Sequence, residues 1–152
     1  VAHDRCLPEA ELGALIKGMS VVLDCTDNSH SRRLHNRLCV QNKVPLISAA
    51  AFRFEGQLMV VDPSDDNSPC YQCVYPQVDG SPASCSESGI MAPVVGMMGV
   101  FQSLEAIKLI SGVGEKSRGA LHSFDGLTAR WRRFNVTKNA HCPVCNGARS
   151  QP

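Results

Sequence analysis

The stretch VVLDCTDN, residues 21–28, decides the fold that we expect for this chain. Its first three residues form a short apolar run, which is typical of a buried strand in a parallel sheet. The polar residues after it favour the start of a helix, because their side chains accept hydrogen bonds from free backbone N–H groups. We therefore predict a strand at 21–23 and a helix from about Ser31 to Asn42.

The flanking sequence extends this pattern into an α/β fold. A short helix is predicted over 9–19, and Pro45 leads into a second strand at 46–50, which completes a strand–helix–strand crossover. Strands at 56–62, 121–124 and 129–136 follow, the last two joined by Asp125-Gly126 as an antiparallel pair. The prediction is one domain over residues 1–152, with a mixed sheet that is part parallel and part antiparallel.

A long helix is predicted from Ala92 to the glycine at 112. Its first half is apolar on all sides, which predicts full burial. Gly96 and Gly99 are costly within a helix, so we expect them to allow another backbone to approach closely. The apolar run at 90–100 is short and interrupted, and it is not expected to cross a membrane. Residues 70–88 lack periodicity and are predicted to form an irregular linker.

The overall charge argues against a nucleic-acid or membrane partner. The net charge is +1, with 43% hydrophobic and 19% charged residues. The pair Arg32 and Arg33 and the arginines at 130, 132 and 133 are expected on solvated faces. No export signal opens the chain, which predicts a cytoplasmic location and reduced cysteines.

The strongest motif is a pair of CxxC sequences. Four thiolates suit Zn²⁺, which prefers tetrahedral sulfur ligation, and a closed four-sulfur site is structural rather than catalytic. The alternatives are two separate redox motifs or unpaired thiols. We predict a zinc site formed by Cys70, Cys73, Cys142 and Cys145.

The remaining cysteines fall into two groups. Cys85 lies in a serine-rich stretch, where an exposed thiol either is incidental or serves as an acyl or sulfur acceptor if its pKa is lowered. Cys6, Cys25 and Cys39 lie in or beside regular elements and are predicted to be small core residues.

The strand-end carboxylates are candidates for ligand binding. In open α/β sheets, ligands bind beyond the carboxyl ends of the strands, where Asp24, Asp27 and Asn28 fall. Asp27 could hold Mg²⁺ against a triphosphate, since hard oxygen ligands suit that ion. Helix capping is the alternative. The sequence contains neither a GxGxxG nor a GxxxxGK[ST] motif.

Five segments together resemble the ThiF/MoeB/HesA family, relatives of ubiquitin-activating enzymes. They occur in the family's order and cover nearly the whole chain: VVLDCTDN (21–28), PLISAAAFRFEGQLMVV (45–61), CYQC (70–73), GIMAPVVGMMGVFQSLEAIKLISG (89–112) and CPVC (142–145). The resemblance implies the C-terminal half of a Rossmann-like fold with a four-cysteine zinc site. It leaves the thiamin-pathway and molybdopterin-pathway branches open.

The resemblance also implies a chemistry. Family members bind Mg-ATP and adenylate the C-terminal glycine of a ubiquitin-like sulfur carrier of the ThiS or MoaD type. Asp27 matches the family's aspartate at the metal and the adenylate, which implies a catalytic and cofactor-binding role, and Asn28 beside it is the second implied cofactor-binding residue. Cys85 matches a cysteine that links covalently to the carrier in ThiF and that is dispensable in MoeB. A cysteine desulfurase or rhodanese-type protein is the implied sulfur donor, and a homodimer is the implied assembly.

The family's glycine-rich nucleotide loop and phosphate-gripping residues do not precede Val1. We therefore expect this chain to be inactive alone. The alternative functions are a non-catalytic, zinc-stabilised module that binds a ubiquitin-like protein and a nicotinamide oxidoreductase, which the missing glycine motif disfavours.

Overall fold

The computed structural model describes residues 1–76, 89–115 and 117–146. Nine elements follow one another in these ranges: α1 Glu9–Lys17, β1 Val22–Asp24, α2 Ser29–Asn42, β2 Leu46–Phe52, β3 Glu55–Val61, α3 Tyr71–Val74, α4 Ala92–Ser111, β4 Ala120–Asp125 and β5 Arg130–Asn135. The strands form one sheet in the order β1-β2-β3-β4-β5. β1 and β2 are parallel and the other neighbours are antiparallel, which confirms the predicted mixed sheet.

The crossover from β1 to β2 runs through α2, as the sequence predicted. The helix begins two residues before the expected start, because Asn28 caps it with an extended backbone and a side chain that accepts from Ser31 N at 2.8 Å. Lys43 ends the helix in the left-handed region, with φ of 55°. The predicted capping role of Asn28 is thereby confirmed.

The sheet forms the middle layer of the fold, because β2 and β3 bury both of their faces. Leu46 and Met59 point to a core that also contains residues of α1, α2 and the two CxxC segments. Ile47 and Leu58, one residue along each strand, point to the opposite core beneath α4. This alternation follows from the period of two in a strand.

The prediction that the first half of α4 is fully buried is wrong. One face packs on the sheet through Val94 and Met98, whereas Val95 and Val100 on the other side are 47% and 71% exposed. An apolar composition predicts that a helix face is shielded from water, but it does not show that residues of the same chain bury it. An apolar face is therefore left unpartnered among the described residues.

The two glycines of α4 do not admit another backbone within the described part of the chain. A Cβ at Gly96 or Gly99 would meet nothing within 4 Å. The close approach occurs instead at Gly56 on β3, where a Cβ would lie 2.7 Å from Met98 Sδ. The helix can therefore pack closely on the sheet because Gly56 on the strand has no side chain. The glycines of the helix itself do not make this contact.

The glycines do not interrupt α4, so the predicted long helix from Ala92 to Gly112 is confirmed. The helix runs for 20 residues and contains an 18-residue window with a mean hydropathy of 1.4, so its length and composition would suffice to cross a membrane. It packs on the sheet, however, and the buried Gln102 amide donates to Ile47 O at 3.0 Å. Such contacts are those of a helix that covers a sheet.

Two further expectations need correction. The segment predicted as an irregular linker begins with the short helix α3, and residues 77–88 lie outside the described residues. Cys39 is fully buried, as predicted, but Cys6 and Cys25 are exposed and are not core residues. Cys6 precedes α1, and Cys25 follows β1 at the edge of a cavity, so neither lies inside a packed element.

Candidate functional site

The two CxxC segments converge on one point. Cys70 Sγ lies 3.6 Å from Cys142 Sγ and 3.9 Å from Cys73 Sγ, and Cys73 Sγ lies 3.4 Å from Cys145 Sγ. All four sulfur atoms lie within 4.8 Å of one another. Tetrahedral bonds of 2.3 Å to one ion would place the sulfur atoms about 3.8 Å apart. The cluster therefore has the size of a four-sulfur metal site.

Local turns hold both pairs in place. Cys73 N donates to Cys70 O at 2.9 Å in the first segment, and Asn146 N donates to Cys142 O at 3.1 Å in the second. The loop before Cys70 is fixed by the buried Asp62, which pairs with Arg118 and accepts from Ser64. These contacts connect the end of β3 to Arg118, two residues before β4, so the loop that leads to the cluster is attached to the sheet.

Two of the four thiols, those of Cys70 and Cys145, would not ionise readily without a cation. Burial raises the pKa of Cys70 to about 11, and burial together with the neighbouring thiolates raises the pKa of Cys145 further still. Burial opposes ionisation of Cys142 too, but backbone N–H groups of Cys145 and Val144 hold its pKa below the usual value. A bound cation would stabilise all four thiolates, because ligand cysteines must be deprotonated.

The second candidate site lies at the carboxyl end of β1. Asp24 is buried; its Oδ1 accepts from Thr26 Oγ1 at 2.6 Å and lies 3.3 Å from His35 Nδ1, and its Oδ2 accepts from Ser48 Oγ at 3.1 Å. Burial raises the pKa of Asp24, but the hydrogen bonds from His35 and Thr26 and the charge of Arg32 outweigh it and hold the pKa below its ordinary value. Asp24 is thus an ionised structural anchor.

Arg32 is buried, so the prediction of a solvated face is wrong for this residue. Its guanidinium donates to Thr26 O and to Ala49 O, and Nη1 lies 3.6 Å from Asp24 Oδ2. It therefore joins the loop after β1, which carries Asp27, to the middle of β2. The sequence signal for this role is its spacing: Arg32 lies four residues after the cap Asn28, on the inward face of α2.

A cavity of about 190 Å³ opens beside this network. Asp27 is exposed at its edge, and the Cys25 thiol, 3.5 Å from Gln102 Oε1, lies on its wall. Small residues form much of the lining, which comprises Cys25, Thr26, Asp27, Arg32, Ala49, Ala50, Ala51, Ile90, Val95, Met98, Gly99 and Gln102. Such a cavity can admit a narrow chain and present one carboxylate to it.

Asp27 and Asn28 are adjacent at the start of α2, and Asn28 Nδ2 donates to Asp27 Oδ1 at 3.3 Å. The structure also brings together the four predicted cysteines. Cys85 lies outside the described residues. Sequence reasoning missed Arg32 because a charged residue in a helix usually faces solvent.

Replacing Arg32 by methionine is expected to destabilise the protein by about 3 kcal/mol, because Asp24 would remain buried with less compensation. Chemical denaturation measured by circular dichroism tests this. The control is Arg33→Met at the half-buried neighbour on the same helix, which is expected to cost less than about 1 kcal/mol. Equal losses from the two variants would contradict the anchoring role of Arg32.

The fold and the cavity together define a class: an α/β protein with a cavity beyond the carboxyl ends of its parallel strands, the place where such folds bind ligands. The profile of the ThiF family matches residues 1–144, and the chain belongs to this family. This confirms the resemblance that the sequence motifs carry.

Relatives with assigned names agree with the family. The chain is 45% identical over 132 residues to the sulfur carrier protein ThiS adenylyltransferase of Escherichia coli K12, covering 87% of this chain and 52% of that protein. It is 41% identical over 139 residues to the molybdopterin-synthase adenylyltransferase of the same organism, covering 91% and 55%. It is 38% identical to the mouse adenylyltransferase and sulfurtransferase MOCS3, covering 95% and 32%.

The chain thus spans about half the length of the two bacterial relatives. Among solved structures, Escherichia coli MccB with MccA-N7isoASN matches with a TM-score of 0.73 at 17% identity, covering 93% of this chain and 44% of that one. MccB with ATP matches with a TM-score of 0.72 at 16% identity, covering 93% and 44%. At this identity the likeness concerns the fold.

Proposed function

We propose that the full-length protein adenylates the C-terminal glycine of a ubiquitin-like sulfur carrier of the ThiS or MoaD type. The observation that carries the proposal is the cavity with Asp27 at its edge and small residues on its walls. A diglycine tail has no side chains, so it fits a lining built from Ala49, Ala50, Ala51 and Gly99. The named adenylyltransferases at 41–45% identity support the same activity.

In the proposed reaction, the carrier's terminal carboxylate attacks the α-phosphorus of ATP. A bond forms between a carboxylate oxygen and the α-phosphorus, and the bond from the α-phosphorus to the bridging oxygen breaks. Pyrophosphate leaves with the electron pair of the broken bond. Asp27 would hold Mg²⁺, which neutralises charge on the phosphates. Arg32 keeps the Asp27 loop in position through Thr26 O, and the N-terminus of α2 favours negative charge nearby.

We also propose that the four-cysteine cluster holds a structural zinc ion. The sulfur spacing fits tetrahedral coordination, and four protein ligands leave no position for a substrate. None of the described cysteines forms a disulfide, so the thiols are free to coordinate an ion. The ion would contribute to folding rather than to chemistry.

Cys85, on the sequence alone, stays a candidate acceptor for sulfur from a desulfurase or rhodanese-type donor.

We further propose that the exposed face of α4 is covered by a second copy of the protein. Leu104, Ile107 and Ile110 are 51%, 63% and 65% exposed, in line with Val100 one turn before. Gly96 and Gly99 have no side chains and nothing lies against them within the described residues, so a second helix could approach closely. An apolar stripe of this length is the expected core of a homodimer interface.

A charge in this stripe is expected to abolish the dimer. Val100→Asp should convert the protein from dimer to monomer in size-exclusion chromatography with light scattering, because burying a lone carboxylate is unfavourable. Met19→Asp is the control: Met19 is 51% exposed and follows α1, on the opposite side of the sheet, and its variant should remain dimeric. A monomeric wild-type protein, or a dimeric Val100→Asp variant, would exclude this interface.

The activity is tested with full-length protein, ATP, Mg²⁺ and purified ThiS-type or MoaD-type carrier. We expect pyrophosphate release and a carrier adduct that carries AMP, with one carrier type preferred. A carrier that lacks its terminal glycine is the control and should give neither. Binding of intact carrier without pyrophosphate release, by folded protein supplied with Mg-ATP, would instead favour the non-catalytic module.

A further inference from the structure

Asn36, on the inward face of α2, is completely buried, yet half of its side-chain amide has no partner. Its Oδ1 accepts from Tyr71 N at 2.9 Å, which fixes the orientation of the amide. Its Nδ2 makes no hydrogen bond within the described residues. Native proteins pair nearly all buried donors, so an orphaned one indicates a partner that becomes a stronger acceptor in another state.

The polar group beside this donor is the thiol of Cys70. Tyr71, which binds the Oδ1 end of Asn36, directly follows Cys70 in the chain. The Asn36 side chain is close enough to the Cys70 thiol to interact with it, but its Nδ2 has no formed hydrogen bond there. Cys70 is itself 1% exposed and belongs to the same core as the neighbouring helix residues Leu38 and Cys39.

A metal-bound thiolate is a much better acceptor than a thiol, because it keeps negative charge on the sulfur. We propose that Asn36 is a positioning residue of the metal cluster, with Nδ2 donating a hydrogen bond to the Cys70 thiolate when the ion is bound. This inference rests on the proposed metal site and goes beyond its four ligands. Groups of this kind orient ligands and raise metal affinity.

The inference gives α2 two attachments on one face. Asn36 lies four residues, about one turn, after Arg32, which holds the strand-end loop through Thr26 O. The helix would therefore connect the metal cluster, through Asn36, to the cavity that Asp27 borders. Binding of the ion would fix the position of this helix relative to the sheet.

The decisive measurement is nuclear magnetic resonance of the ¹⁵N-labelled full-length protein loaded with ¹¹³Cd. We expect a through-hydrogen-bond coupling between the Asn36 side-chain amide protons and ¹¹³Cd, which a purely structural asparagine would not show. Absence of the coupling in a protein whose four cysteines ligate cadmium would overturn the proposal. This result comes from the wild-type protein, so it does not depend on the folding of a variant.

Variants separate the two ends of the amide. Asn36→Asp keeps an acceptor for Tyr71 N but loses the donor, and Asn36→Leu loses both. Both are expected to weaken zinc binding by roughly 10- to 100-fold in chelator competition. The control is Asn42→Ala on the same helix, whose Nδ2 donates to Leu38 O, and which should bind zinc within about twofold of wild type.

The outcomes distinguish this proposal from those on which it rests. Wild-type affinity in Asn36→Asp would assign the residue to Tyr71 alone and overturn the inference, with the metal site intact. A wild-type protein that binds neither zinc nor cadmium would remove the metal site and this inference together. Pyrophosphate release is measured separately and reports on the adenylation proposal.

Discussion

Cys142→Ser is expected to remove the bound zinc and to lower the free energy of unfolding by on the order of 5 kcal/mol, since loss of a structural metal is among the largest single-residue effects. Cys142 is 1% exposed, and its sulfur lies 3.6 Å from that of Cys70. The variant would leave three thiols around a site built for four. Elemental analysis and denaturant unfolding of the full-length protein measure the two effects.

Cys6→Ser is the matched control for this change. Cys6 is exposed and lies before α1, away from the four-cysteine cluster. Its replacement should leave both the zinc content and the unfolding midpoint at wild-type values. A wild-type protein purified under reducing conditions without zinc, or a Cys142→Ser variant as stable as Cys6→Ser, would disprove the structural role of the ion.

Asp27→Asn is expected to reduce the rate of carrier-dependent pyrophosphate release by about 10³-fold, equivalent to about 4 kcal/mol of transition-state stabilisation. The amide preserves the shape of the side chain but removes the negative charge that would hold Mg²⁺. Because Asp27 is exposed, the thermal midpoint should change little. Steady-state assays over a range of Mg²⁺ concentrations should show the loss at every concentration.

The control for Asp27 is Asp4→Asn, at an exposed aspartate before α1. It changes the net charge by the same amount and should leave the rate unchanged. If Asp27→Asn keeps more than about a tenth of the wild-type rate, the carboxylate is not essential for transition-state stabilisation. The proposed metal position would then be wrong even if the adenylation activity itself were present.

Much of the fold could be predicted from local sequence patterns. The crossover from β1 to β2 follows from an apolar run, a capping residue and a helical period, all of which lie within residues 21–50. The hairpin of β4 and β5 follows from alternation around Asp125-Gly126. These signals are local because each depends on neighbouring residues in one chain segment.

The burial of α4 could not be predicted in the same way. Its composition indicates that both sides avoid water, but only Val94, Met98 and their neighbours meet the sheet. Whether Val100 is covered depends on a surface outside its own segment. Gly56 could not be explained from its own segment either. A side chain is excluded there by Met98, which is distant in sequence.

Some residues of the candidate sites could be predicted from the sequence and others could not. The four cysteines were predictable because thiol pairs at fixed spacing have few other uses. The anchoring residues were not, since Arg32 and Asn36 are polar types that usually face water. Their burial is explained by long-range partners: Ala49 O for the arginine and Tyr71 N for the asparagine.

The separation of the two cysteine pairs along the chain has a consequence for folding. Corresponding cysteines are 72 residues apart, so an ion between them closes a loop that contains α4, β4 and β5. By analogy with a disulfide, a cross-link of this length would restrict the unfolded chain by about 4 kcal/mol of conformational entropy. A backbone cut between the pairs would then leave two fragments that the ion holds together in addition to the pairing of β3 with β4, so a chelator should lower the denaturant concentration at which they separate.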